Sequence, residues 1–86
     1  MLSFIDEVIS ISVSAVNQTF VEALKKDNLF DEAAQKEALE MALKIVFENL
    51  TKEATDYIDS VTGDFDAYVI PRIESEVKTQ KVLNEL

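Results

Sequence analysis

The sequence predicts an all-α fold: a small helical bundle of three to four helices in one domain, with a long first helix and a kinked last one. Three observations lead there. The 86 residues hold one Gly and one Pro, so the backbone has few places to break. Apolar residues make up 48% of the chain, too many for a disordered tail even at a net charge of −9. Those residues recur three and four apart, the period of helices buried along one face. At 9.7 kDa the core is thin. Domains of this size often gain stability by associating.

The first helix, from about Ser3 to Lys26, carries Ile5, Ile9, Val13, Val16, Phe20 and Leu24 at helical spacing. Val8, Ala15 and Ala23 widen that stripe. Ser10–Ser14 alternates like a strand, but the helical period continues on both sides of it. Lys25 and Lys26 sit in the last turn, where the helix dipole favours cations. Asp27 and Asn28 then break the pattern and are expected to cap the next helix, with Leu29 and Phe30 packing under the connection.

A second helix runs from about Asp31 to Asn49, rich in Ala, Glu, Lys and Leu. Its apolar face is Ala34, Ala38, Leu39, Ala42, Leu43, Val46 and Phe47, continued by Leu50. Lys36–Glu40 and Lys44–Glu48 are i,i+4 pairs on its wet side. Thr51 caps a short third helix, about Lys52 to Val61, with Ala54, Tyr57, Ile58 and Val61 inward. Gly63 supplies the left-handed residue that stops it. Asp64 caps the last helix, about Phe65 to Lys81, whose buried face is Phe65, Val69, Ile73 and Val77. Pro71 lies inside that pattern, removes a backbone bond and predicts the kink. Residues after Lys81 are expected to fray.

The composition excludes most chemistry. Without Cys or His there is no thiol nucleophile, disulfide, Ser-His pair or His/Cys zinc site. The acidic stretch Asp56–Asp66 fails as an EF-hand loop, with Val61 and Ile70 where oxygen ligands are required. No enzyme, cofactor or metal is expected. Seventeen acids against eight bases disfavour nucleic acid and anionic lipid. The apolar run Val8–Val16 falls far short of the ~20 residues that span a bilayer, and Asp6 and Glu7 interrupt any leader pattern. The chain as written is expected to be soluble and cytoplasmic.

The apolar N-terminal end of the first helix, Phe4, Ile5, Val8 and Ile11, needs cover. Two arrangements supply it: the C-terminal helix of the same chain, or a second copy through a helix–helix seam. The second is the expectation, which makes these four residues the candidate self-association site and the protein a homo-oligomer.

The run AVNQTFVEALKKDNLFDEAAQKEALEMAL (Ala15–Leu43), then LTKEATDYID (Leu50–Asp59), TGDFDAYV (Thr62–Val69) and IESEVKTQK (Ile73–Lys81), resembles the soluble C-terminal segment of LLH-type phage holins. The resemblance lies in Ala15-Val16, Gln18 to Val21, Leu24 to Lys26, Phe30 to Ala38, Gly63-Asp64, and Ile73, Glu74 and Val77. It covers about Asp6 to Lys81. It implies a small phage or prophage protein in which a transmembrane helix precedes this segment. That helix is not part of these residues, so the chain is read as an excised domain, or as a relative without the anchor. Any membrane contact would come through the preceding helix, at the host inner membrane. The implied role is an interaction module that associates with itself or with another phage protein. The alternative is a free-standing acidic adaptor or regulator that binds a basic protein partner.

Overall fold

The structure, a computed structural model, describes residues 2–85, with side chains through residue 81. Among the described residues every regular element is a helix: α1 (Leu2–Val16), a π-helical turn (Asn17–Val21), α2 (Glu22–Lys26), α3 (Glu32–Asn49), α4 (Lys52–Thr62) and α5 (Phe65–Glu85). The first three form one rod, because the residues at both junctions keep right-handed helical dihedrals.

The ends of the helices follow from local side-chain chemistry. Asp31 Oδ1 accepts the Ala34 amide at 2.8 Å, Thr51 Oγ1 the Ala54 amide at 3.2 Å, and Asp64 Oδ1 the Ala67 amide at 3.2 Å. Each satisfies one orphan donor of a first turn, worth about 1 kcal/mol. Gly63 takes the left-handed conformation at φ 68° and its amide returns to the Asp59 carbonyl at 2.9 Å, closing α4. Asn28 plays the same part at the end of α2, with φ 56°. There the Asn28 amide reaches Lys25 O at 3.1 Å and the Leu29 amide reaches Leu24 O at 2.8 Å. Asn28 therefore ends one helix instead of beginning the next.

The core is one cluster drawn from α1, the π-helical turn, α3, α4 and α5. Ile5, Ile9, Val13 and Val16 of α1 meet Ala42 and Val46 of α3, Ala54 and Ile58 of α4, and Tyr68, Val69 and Ile73 of α5. α1 packs against both α3 and α5, while α4 packs on α5. Arg72, Ser75 and Glu76 lie beside Asp6 and Ile9, and Gln80 bonds to residues 10, 14 and 17. α5 thus runs alongside α1 in the same direction.

The burial expected at six residues is corrected. Burial on the first rod passes from Val16 to Val21, five residues on, because the π-helical turn inserts an extra residue. Phe20, expected at the centre of the stripe, is left half-buried, and Ala23, expected to widen it, is exposed. Phe47 and Val61 are exposed. Phe47 instead packs edge-to-face on Phe65, with ring centroids 5.4 Å apart. Val77 is 44% exposed although it continues the i+4 series of α5. Leu29 is exposed too, leaving Phe30 alone to pack under the first connection.

α5 passes through Pro71 as one helix and continues to Glu85, past the expected end at Lys81. Pro71 and Ala67 are both exposed, so water can satisfy the carbonyl that proline leaves without a donor. Ser12, wholly buried in the strand-like stretch, donates its hydroxyl to Val8 O at 2.7 Å and so stays compatible with the helix.

Tyr68 is 3% exposed, and its hydroxyl has no hydrogen-bond partner among the described residues. Its outer side is held by Arg72, whose guanidinium carbon lies 3.6 Å from the ring centroid. A buried hydroxyl without a partner costs about 1–3 kcal/mol. Tyr68→Phe is accordingly expected to stabilise the fold by about 1 kcal/mol, raising Tm by several degrees in a thermal melt. A lower Tm would mean that the hydroxyl has a partner in solution.

The molecule is elongated, 41 × 28 × 17 Å. Its radius of gyration is 13.4 Å, against about 12 Å for a compact chain of this length. Its accessible surface is 5921 Å², against about 5,100 Å² for a compact monomer of this mass.

Candidate functional site

The four residues expected to form a self-association site fall into two pairs. Ile5 is 0% exposed and Val8 is buried, both within the chain's own core, so they are not available to a second copy. Phe4 is 38% and Ile11 61% exposed. The reason is geometric. The apolar arc of α1 is wider than the surface that α3 and α5 cover, and Phe4 and Ile11 lie on its uncovered edge. Seven residues apart, they are two helical turns and about 10 Å from each other on one face. Glu7, at i+3 from Phe4 and i+4 to Ile11, stands on that face between them.

Sequence reasoning missed a second feature. At the other end of the first rod, α1, the π-helical turn, α3 and α5 enclose a half-open groove of about 530 Å³. Val13, Val16, Val21, Leu39, Ala42 and Ile73 make its floor, and Lys25, Lys36 and Lys78 stand at its rim with Glu32 and Glu74. Three of the chain's eight basic side chains thus gather at one opening of an acidic molecule. Lys25 also lies over the Phe30 ring, 5.5 Å from its centroid.

The groove is held by a polar clasp between α1 and α5. Gln80 Nε2 donates to Ser10 O and to Glu76 Oε1, each at 3.1 Å. Its Oε1 accepts from Ser14 Oγ at 3.3 Å and from Asn17 Nδ2 at 3.2 Å. Asn17 opens the π-helical turn, so the clasp ties α5 to the point where the first rod changes its pitch. No sequence signal announces it, since a Gln, an Asn and two Ser far apart carry no shared pattern.

The remaining polar surface is ordinary. Among the described residues the ion pairs are Lys44–Glu48 at 3.9 Å and Lys52–Asp56 at 2.8 Å; the expected Lys36–Glu40 pair does not form. Asp56, through its hydrogen bond and its charge, raises the pKa of the Lys52 ammonium. Among the described residues no group of acids is placed to hold a metal ion. No described helix is long and apolar enough to cross a membrane. Compared with known proteins, the chain matches no family model, no curated protein and no solved structure.

Proposed function

We propose that this domain is a self-associating interaction module of a phage holin-like lysis protein, with no chemistry of its own. The observation that carries the self-association is the exposed pair Phe4 and Ile11 on one face of α1. Large apolar side chains two turns apart on an uncovered helix edge are what a partner helix uses as anchors. The surplus of surface over a compact monomer supports the same reading. The phage assignment rests on the ordered resemblance over about Asp6 to Lys81. In such a protein the anchor would enter at the end of α1 that carries Phe4, at the cytoplasmic side of the host inner membrane. Tethering there would raise the local concentration of these faces. The test is the mass of the free domain: its weight average should climb above 9.7 kDa as concentration rises. A chain that stays monomeric at ~100 μM, where contacts weaker than about 5 kcal/mol vanish, would remove the reading.

One feature favours a second reading, an acidic adaptor for a basic protein partner. Glu53, Asp56, Asp59, Asp64 and Asp66 are all exposed along α4 and the start of α5. Its mark is salt-sensitive binding to a basic partner by a chain that is monomeric alone.

A further inference from the structure

The Phe4–Ile11 face needs a receptor, and we infer that it is the lysine-rimmed groove of a second copy of this chain, in a head-to-tail contact. This rests on the self-association proposed above and names the surface it uses. Charge favours the pairing. Glu7 lies between the two apolar side chains and Asp6 beside it, and the first 24 residues contain no base. Two such faces meeting each other would oppose Glu7 to Glu7, on chains that each carry −9. The groove instead offers an apolar floor with Lys25, Lys36 and Lys78 at its edge. Among the described residues none of these lysines has a carboxylate within 4.0 Å, although Glu32 and Glu74 stand on the same rim. Size favours it as well. The groove's volume of about 530 Å³ is ample for a Phe and an Ile side chain carried on one helical face. Position permits it on every copy. The face occupies residues 4–11 and the groove starts at Val13, so the two surfaces do not overlap, and each copy can give one and receive the other.

A contact between two different patches is heterologous. It generates an open chain or a closed ring rather than a two-fold dimer. It also permits a complementation test. Ile11→Asp destroys the face and leaves the groove; Val77→Asp places a charge at the groove wall, where Val77 is part of the lining and 44% exposed, and leaves the face. Circular dichroism should show both folded. In sedimentation velocity each variant alone should be monomeric, and an equimolar mixture should form a one-to-one heterodimer that grows no further. Wild type should pass beyond dimer. Lys36→Glu with Lys78→Glu, both exposed, is a second groove variant and should weaken self-association by at least ~10-fold. If both groove variants associate like wild type while Ile11→Asp does not, the face pairs with itself and the groove assignment is wrong. A mixture that stays monomeric also overturns it. A monomeric wild type removes the self-association reading itself.

Discussion

Ile5→Asp is expected to unfold the domain, not to dissociate it. Ile5 is fully enclosed by its own chain, in one cluster with Val46, Ile58, Val69 and Ile73. Truncating such a side chain alone costs about 2–5 kcal/mol. An aspartate there adds a carboxylate with no partner, at a further cost of several kcal/mol unless it is protonated. A domain of this length has only about 5–10 kcal/mol of stability in total. The far-ultraviolet circular dichroism spectrum should therefore lose its helical minima at neutral pH. Recovery should begin as pH falls and the carboxyl becomes neutral. A folded Ile5→Asp chain of monomer mass would instead place Ile5 at an interface.

Ile11→Asp is expected to do the opposite. The side chain is 61% exposed, so the folded monomer loses little packing, and Asp and Ile differ only modestly as helix formers. Stability in urea should change by less than about 1 kcal/mol. At an interface, however, Ile11 is one of two apolar anchors beside Glu7, and a second acid there meets the partner's surface directly. Loss of such an anchor weakens binding by about 2 kcal/mol or more, roughly 30-fold. The two substitutions lie six residues apart on one helix and separate core from contact.

That contrast also shows where the sequence is legible. Asp31, Thr51, Gly63 and Asp64 end or begin helices through bonds to groups three or four residues away, so local order reveals their roles. The buried positions of α4, Ala54 and Ile58, follow from the same period. The π-helical turn stays hidden because Phe20 and Val21 are both apolar, and a one-residue delay between them leaves no mark on the pattern. Asn28 reads as a cap because Asn suits both a helix start and a left-handed end. Periodicity locates the apolar arc of α1 but not which edge of it α5 covers. The expected self-association site is therefore half interior, through Ile5 and Val8, and half surface, through Phe4 and Ile11. The groove and the Gln80 clasp join residues up to 70 positions apart, and only the packed structure brings them together.

If the uncovered Phe4–Ile11 face makes this domain associate with itself, removing one anchor must leave a monomer. Sedimentation equilibrium of wild type and Ile11→Asp, run side by side over a rising concentration series, decides the matter. The wild-type mass should rise from 9.7 kDa with concentration, and the Ile11→Asp mass should stay there. Two curves that coincide, both flat or both rising, would refute self-association through this face.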